Sequence, residues 1–219
     1  AGIDIMDCVI PGRKKLVITG NGTVKVKSSR INCRESGTTA RFIIPVSRLT
    51  SDSVIIDGEN RLKERPFDVF YDIFNKQGIS FETDNKKLPI TFRGRLKPGV
   101  FEIRGDVSSQ FISGLLLALP LLEGDSAIKI TTPVESIGYI DMTLKTQKMF
   151  GVNIDFNHDE NILKIPGWQK YSPCNYKVEG DWSQAAFWLA AGSMSGQVEV
   201  GGLNRESVQG DKVIEDIMK

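Results

Sequence analysis

Cysteine and histidine are scarce in this sequence of 219 residues, which holds three cysteines and one histidine. Cys8, Cys33 and Cys174 are far apart and odd in number, which argues against a disulfide framework and fits reduced thiols in a cytoplasmic protein. No zinc site or histidine-based triad is expected, because His158 alone cannot supply the ligands or the general base. Any chemistry must therefore come from other side chains.

An excess of charge of one sign and a long apolar run are lacking as well. The 28 lysines and arginines nearly balance the 27 aspartates and glutamates, so the net charge of +1 offers no global reason to expect nucleic acid or a membrane as partner. The longest apolar run, residues 111–122, is too short to cross a bilayer and is predicted to be a buried helix. With 40% apolar residues, the sequence predicts a globular protein of one or two domains.

Amphipathic stripes stand at both ends of the sequence. Apolar residues spaced i, i+1, i+4 and i+5 predict a helix at each end, on Ile5, Met6, Val9 and Ile10 and on Val213, Ile214, Ile217 and Met218. The first stripe has no N-cap before it, and the second has no terminating glycine or asparagine after it. We therefore expect a fragment of a longer protein, with frayed natural termini as the alternative.

An internal repeat of 73 residues organises the middle of the sequence. The identical residues that the shift aligns include Ser36 with Ser109, Asp68 with Asp141, Gly78 with Gly151, and Gly94 with Gly167. Between the paired glycines, apolar residues alternate at period two in both copies, as in β-strands. Each copy is predicted to contain a helix, a strand, a second helix that ends at its glycine, and two further strands. This alternation favours an α/β protein.

A short strand is predicted to lead from each copy into the next helix, at residues 99–103 and 176–178. A third, partial copy begins at residues 180–183 (GDWS), which resemble residues 105–108 (GDVS). Three tryptophans, Trp168, Trp182 and Trp188, are interpreted as packing residues, because no basic residues are interleaved with them.

Three segments could bind an anion. Residues 35–42 (ESGTTARF) and 105–111 (GDVSSQF) each place hydroxyl groups at the start of an apolar helix, where backbone N–H groups and the helix dipole attract anions. Serine and threonine are also common N-cap residues, so both interpretations stay open. In residues 61–66 (RLKERP) three cations precede a helix that Pro66 is suited to open, either as a phosphate-binding group or as ordinary surface charge.

Together these segments resemble the 5-enolpyruvylshikimate-3-phosphate synthase family. Five strings carry the resemblance, in the family's order and spacing: residues 35–42 (ESGTTARF), 62–66 (LKERP), 105–111 (GDVSSQF), 139–144 (YIDMTL) and 178–181 (VEGD). The resemblance covers essentially the whole sequence. It implies a transferase of the shikimate pathway that moves the enolpyruvyl (carboxyvinyl) group of phosphoenolpyruvate to shikimate 3-phosphate and releases phosphate, without a metal or organic cofactor.

The fold that the resemblance implies is α/β, an inside-out α/β barrel-like arrangement in which two domains are each built from three βαβαββ units. The repeat agrees with this. Residues 1–179 would form most of the first domain, without its first segment, and residues 180–219 would begin the second. The full-length enzyme would be a cytoplasmic monomer that binds two small-molecule substrates.

The resemblance also implies which residues bind substrate. Those for shikimate 3-phosphate are Ser108, Ser109, Gln110, Ser136 and Tyr139, and those for phosphoenolpyruvate are Gly37, Arg65 and Gln110. Arg41 matches a family arginine and is expected to be structural. Residues 136–139 (SIGY) depart from the more usual Ser-Lys-Pro-Tyr, so the assignments of Ser136 and Tyr139 rest on fewer matching residues.

The family's opening Gly-Asp-Lys-Ser segment and its last third, which carry further substrate-binding and proton-transfer residues, have no counterpart in this sequence. No catalytic residue is therefore expected within it, and the chain alone is predicted to be inactive. Two alternatives remain. One is a UDP-N-acetylglucosamine enolpyruvyl transferase, which shares the fold; the other is a noncatalytic repeat domain that binds a phosphorylated ligand, with its serines only capping helices.

Overall fold

The computed structural model describes residues 4–10, 13–20, 22–134 and 136–218. Backbone packing divides the chain into two compact units, Ala1–Pro98 and Gly99–Lys219. The domain boundary near residue 180 concerns the arrangement of a longer protein and stays a prediction.

The first unit begins with an antiparallel hairpin where the sequence predicted a helix. Strand β1 (Asp4–Ile10) pairs along its whole length with β2 (Arg13–Thr19), from Asp4 opposite Thr19 to Ile10 opposite Arg13. The prediction of a helix over these residues is wrong, because a stripe of six residues is too short to separate the two periods. The pairing with β2 decides between helix and strand in favour of the strand, a conformation in which valine and isoleucine are enriched.

A four-stranded mixed sheet with two helices forms the rest of the first unit. Its elements are β3 (Arg30–Asn32), α1 (Gly37–Ser47), β4 (Val54–Asp57), a 3₁₀ helix (Asn60–Glu64), α2 (Asp68–Gln77), β5 (Ser80–Asp84) and β6 (Lys87–Arg93). The strand order is β3-β4-β6-β5, and only β3 and β4 are parallel. The carboxyl ends of β3 and β4 therefore adjoin, and both α1 and the 3₁₀ helix follow from that edge.

The second unit repeats this topology. Its elements are β7 (Val100–Ile103), α3 (Ser109–Ala118), β8 (Ser126–Ile130), α4 (Ile137–Met149), β9 (Asp155–Asn157), β10 (Ile162–Ile165), α5 (Trp182–Ser195) and α6 (Ile214–Ile217), with 3₁₀ helices at Leu119–Leu121 and Gly210–Val213. The strand order is β7-β8-β10-β9, again with only the first pair parallel. The repeat and the α/β class are confirmed. The strand predicted at residues 176–178 is wrong, because that backbone joins no ladder of the described strands.

The paired glycines of the repeat meet two different structural demands. Gly78 (φ +73°) and Gly151 (φ +81°) end α2 and α4 in the left-handed conformation that glycine adopts without strain. Gly167 instead lies against the backbone of Gly124, whose nitrogen is 2.8 Å from the point where a Cβ would stand and whose carbonyl oxygen is closer still. Only hydrogen fits there.

Gly167→Ala is expected to destabilise the second unit by about 2–3 kcal/mol, because the added methyl group meets backbone that no rotamer change can move. Gly210→Ala is the matched control in the same unit, since a Cβ at that position meets nothing within 4 Å. Urea unfolding of both variants measures the difference. An unchanged unfolding midpoint for Gly167→Ala would show that the backbone near Gly124 can move aside at little cost.

Packing in the second unit follows the sequence in part. Helix α3 is buried on most of its circumference, as predicted for residues 111–122. Helix α5 begins at the N-cap Asp181 and buries Trp182, but it leaves Phe187 (73%), Trp188 (64%) and Met194 (88%) exposed. Apolar side chains after residue 180 are therefore exposed to solvent. Trp168 is exposed too, so of the three tryptophans interpreted as packing residues only Trp182 is one.

Candidate functional site

The carboxyl edge of β7 and β8 carries three serines of the second unit, Ser108, Ser109 and Ser136. The two strands are parallel neighbours with Ile103 opposite Ile130, so the loops that follow them leave from the same edge. One loop leads to Ser108 and α3, and the other leads to Ser136 and α4. Because α3 and α4 pack against each other, two helix N-termini lie side by side at this edge. We call the group formed by Ser108, Ser109 and Ser136 the serine edge.

The fold makes little use of the hydroxyl groups of the serine edge. Ser108 is exposed and caps α3 through a long hydrogen bond, accepting the N–H of Gln110 at 3.4 Å. Ser109 is only 6% exposed, yet its hydroxyl makes no hydrogen bond within the described chain. Ser136 is the N-cap residue of α4, but its side chain accepts no N–H of the helix. Capping therefore explains the presence of a hydroxyl group at Ser108 only in part, and it does not explain the hydroxyl groups of Ser109 and Ser136.

A hydrogen bond between α3 and α4 sets how the two helix starts face each other. The Thr143 hydroxyl donates to the carbonyl of Tyr139 at 2.8 Å, and Ser113 Oγ lies 2.8 Å from Thr143 Oγ1. Ser113 lies one turn after Ser109, and Thr143 lies one turn after Tyr139. Ser109 and the exposed Tyr139 therefore stand at the same level on neighbouring helices. Gln110 lies half-buried in the first turn of α3.

The loop before Ser108 is held by Arg104, Asp106 and Thr132. Arg104 donates to the two carboxylate oxygens of Asp106 at 2.8 and 2.5 Å, and the Thr132 hydroxyl donates to the same carboxylate at 3.1 Å. The pKa of Asp106 is lowered to about 2, mainly by the hydrogen bonds from Arg104 and to a smaller extent by the hydrogen bond from Thr132. Asp106 is therefore ionised at neutral pH, and this loop carries a fixed charge pair.

Residues 136–139 (SIGY), which depart from the more usual Ser-Lys-Pro-Tyr, contain a glycine that lies close to a later part of the chain. A Cβ on Gly138 would stand 2.9 Å from the carbonyl oxygen of Val208. The chain after residue 200 also reaches α4 through Glu206, whose carbonyl accepts a hydrogen bond from Lys145 Nζ at 3.4 Å. The glycine therefore allows residues 206–208 to lie directly on the start of α4.

In the first unit, two arginines converge on the start of α1. Nη1 of Arg41 and Nη1 of Arg65 lie 2.8 and 3.1 Å from the point where a Cβ on Gly37 would stand. Burial, and then the charge of Arg65, lower the pKa of Arg41. The side chain of Arg65 forms no hydrogen bond or ion pair with the described chain. Two guanidinium groups at a helix N-terminus make a strongly positive site that an anion would stabilise. We call it the arginine pair.

Hydrogen bonds between two loops hold Arg65 at this place. The Glu59 N–H donates to the carbonyl of Arg34 at 2.7 Å, and the Asn60 side chain donates to Glu35 at 2.5 Å. The 3₁₀ helix that follows carries the chain to Arg65. Of the three cations in residues 61–66, Arg65 is the one that the structure brings to Gly37. Helix α2 itself begins only at Asp68, so the prediction that Pro66 opens it is wrong by two residues.

The structure confirms the cap interpretation of residues 35–42 for Ser36, and the anion interpretation stays a prediction for Gly37. Ser36 is an ordinary N-cap, because its hydroxyl accepts the N–H of Thr39 at 3.1 Å and the hydroxyl of the same residue at 2.8 Å. Gly37, one position later, is the residue that the arginine pair approaches. Arg41 packs over the Phe67 ring at 5.7 Å, which fits a structural role, but it also reaches the same point as Arg65.

Sequence reasoning did not assign a site role to Arg41 or to Thr132. Arg41 could have been found, because a residue four positions after Gly37 lies on the same face of the helix. Thr132 lies 27 residues after Gly105, and only the pairing of β7 with β8 brings the two together. No local signal marks Thr132.

The described residues contain neither a metal-binding group of side chains nor a helix that could span a membrane. No three or more histidine, cysteine, aspartate or glutamate side chains in residues 4–10, 13–20, 22–134 and 136–218 are grouped so that they could hold a metal ion. None of the helices in the described part of the chain has the length and apolar character needed to cross a membrane.

Comparison with known proteins places this chain in a family. A 3-phosphoshikimate 1-carboxyvinyltransferase of Clostridium acetobutylicum is 47% identical over 208 residues, which are 91% of this chain and 48% of that protein. The Clostridium kluyveri protein of the same name is 45% identical, over 95% of this chain and 49% of its own length. The chain thus spans about half the length of the curated relatives it matches.

The fold is also that of solved structures. An EPSP synthase from Acinetobacter baumannii matches with a TM-score of 0.72 at 22% identity, over 88% of this chain and 42% of its own. The expected enolpyruvyl transferase fold is therefore confirmed. The sequence model of the family described as EPSP synthase (3-phosphoshikimate 1-carboxyvinyltransferase) matches residues 10–219, so the chain belongs to the EPSP synthase family.

Proposed function

We propose that the serine edge binds shikimate 3-phosphate and that the arginine pair binds phosphoenolpyruvate. The whole protein would transfer the enolpyruvyl group from the second compound to the first and release phosphate. The observation that carries this proposal is Ser109, a residue only 6% exposed at a helix N-terminus, whose hydroxyl makes no hydrogen bond within the described chain. Membership of a family whose curated relatives carry that enzyme name supports it. The cysteine pattern supports a cytoplasmic location.

The serine edge suits a phosphate monoester. Hydroxyl groups of Ser108, Ser109 and Ser136 can each donate to a phosphate oxygen, and the backbone N–H groups at the starts of α3 and α4 add dipolar attraction. Each charge-assisted hydrogen bond contributes about 1.5–3 kcal/mol. Tyr139 stands at the same level as Ser109, where it can contact the ring or the phosphate of the ligand.

The arginine pair suits a small dianion or trianion with planar oxygens. A guanidinium group donates two parallel hydrogen bonds to a carboxylate or a phosphate. The absence of a side chain at Gly37 lets both guanidinium groups approach the start of α1. Phosphoenolpyruvate carries both kinds of group. Gln110 is proposed to contact both substrates, which the family resemblance supports.

Calorimetric titration with shikimate 3-phosphate, compared with shikimate and with inorganic phosphate, tests the proposal. Saturable binding that needs both the ring and the phosphate is the expected result. Equal affinity for inorganic phosphate would favour the noncatalytic phospholigand domain. No binding to a well-folded chain would overturn the assignment of the serine edge. Turnover assays of the same sample test whether the chain alone is inactive, as we propose.

Gly37→Ala is expected to lower the affinity for phosphoenolpyruvate about tenfold and to leave the melting temperature unchanged. The added Cβ would meet the far ends of the flexible Arg41 and Arg65 side chains, which can move, so the fold tolerates it while the paired geometry is lost. Calorimetric titration measures the affinity. Gly20→Ala, where a Cβ meets nothing within 4 Å, is the control in the same unit. Equal affinity in both variants would contradict the proposed site.

A further inference from the structure

The Thr132 hydroxyl is fully used by the loop before α3. Its Oγ1 accepts the N–H of Gly105 at 2.8 Å and the N–H of Asp106 at 3.1 Å, and it donates to the Asp106 carboxylate at 3.1 Å. A hydroxyl group has one proton and two lone pairs, so these three hydrogen bonds use all of its capacity. Thr132 therefore acts as a three-point tether for this loop.

The tether joins two backbones that already touch. A Cβ on Gly105 would stand 2.5 Å from the carbonyl oxygen of Thr132 and 2.8 Å from that of Pro133. Contact this close means that one loop cannot move without the other. Asp106 lies two residues before Ser108, and Thr132 lies four residues before Ser136.

The tether is separate from the pairing of the strands. Thr131, the residue before, already extends the β7–β8 ladder, because its N–H and its hydroxyl donate to the carbonyl of Ile103 at 2.9 and 3.3 Å. Thr132 acts beyond the end of the ladder, on the segments that carry the serine edge. The sheet therefore does not need it, whereas the loops do.

We propose that Thr132 is a positioning residue for the phosphate-binding hydroxyl groups, tying the loop before Ser108 to the segment that leads to Ser136. This inference rests on the proposed function. A site built from neutral hydroxyl groups has no long-range charge of its own to draw the ligand in, so its affinity depends on how closely the donors are held in place. Arg104 supports the same loop by neutralising Asp106.

Thr132→Val, Thr132→Ser and Thr131→Val together test the proposal in the full chain. Valine keeps the shape of threonine and removes the hydroxyl, while serine restores it. Two quantities are measured for each variant: hydrogen exchange of the Gly105 and Asp106 amides without ligand, and affinity for shikimate 3-phosphate. The unfolding temperature is recorded alongside.

Thr132→Val is expected to speed exchange of both amides at least about tenfold. It is also expected to weaken shikimate 3-phosphate binding by about five- to tenfold, an effect of the size that the loss of one hydrogen bond produces. Thr132→Ser should recover both, and Thr131→Val should change neither. A Thr132→Val chain that melts earlier but binds with unchanged affinity would overturn the positioning role and leave a structural one. If Thr132→Val does not fold, Thr132→Ala removes the same three hydrogen bonds with a smaller side chain, and unchanged binding there overturns the proposal.

The failure of the positioning role can be told apart from the failure of the proposed function. Amide exchange needs no ligand, so exchange rates that are unchanged in Thr132→Val overturn the role of Thr132 whatever the chain binds. If the unsubstituted chain does not bind shikimate 3-phosphate, the proposed function fails, and the positioning role fails with it.

Discussion

Replacing Ser108 and Ser109 together with alanine is expected to lower the affinity of the chain for shikimate 3-phosphate by about 10²- to 10⁴-fold. Two charge-assisted hydrogen bonds are removed, each contributing about 1.5–3 kcal/mol. The cost to folding is expected to stay small. Ser108 caps α3 only through a long hydrogen bond, and the Ser109 hydroxyl makes none within the described residues. Loss of the cap would cost about 0.5–1 kcal/mol.

Ser36→Ala is the matched control for the double variant. Ser36 caps α1 with two short hydrogen bonds to Thr39, so its replacement should cost about 1 kcal/mol of stability and leave the affinity for shikimate 3-phosphate unchanged. Calorimetric titration and thermal unfolding of both variants separate the two roles. A double variant that loses stability but not affinity would show that Ser108 and Ser109 are caps.

Arg48→Ala is expected to destabilise the first unit by about 3–5 kcal/mol. Arg48 is 0% exposed, and its Nη1 lies within hydrogen-bond distance, 3.1 to 3.2 Å, of three carbonyl oxygens, those of Asp52, Phe92 and Gly94. These link the end of α1 to the end of β6. Alanine leaves the carbonyl oxygens without this donor and leaves a cavity.

Two further variants separate the causes of this effect. Burial lowers the pKa of Arg48 to about 10, so the side chain is still charged at neutral pH. Arg48→Lys keeps the charge but cannot reach all three carbonyl oxygens, and we expect an intermediate loss. Arg61→Ala removes an exposed arginine of the same unit and should change the free energy of unfolding by less than about 0.5 kcal/mol. Equal unfolding midpoints for Arg48→Ala and Arg61→Ala would contradict the structural role.

The repeat could be predicted because its signals are local. Helix ends at Gly78 and Gly151 need a left-handed residue, and the strand pairs that follow need alternation of apolar residues. Short stretches of sequence carry both of these signals. The same kind of signal failed for β1, where six residues fit either period and the partner strand β2 settled the conformation.

The roles of individual serines could not be predicted. Ser36 and Ser109 stand near equivalent helix starts in the two copies of the repeat, yet Ser36 is a cap while Ser109 is a buried residue of the first turn of α3. A shift of one or two residues in where a helix begins decides which serine can reach the N–H groups. That shift depends on how the loop before the helix is held, here by Asp106 and Thr132.

By itself, the sequence determined the class of fold and the repeat, because these depend on residue type, periodicity and short motifs. The tertiary structure decided which side chains meet. Arg65 reaches Gly37 through hydrogen bonds between two loops, and Thr132 reaches Gly105 across a parallel strand pair. Contacts between residues far apart in the chain carry no local signal, since strand pairing and loop packing bring them together only after the elements have formed.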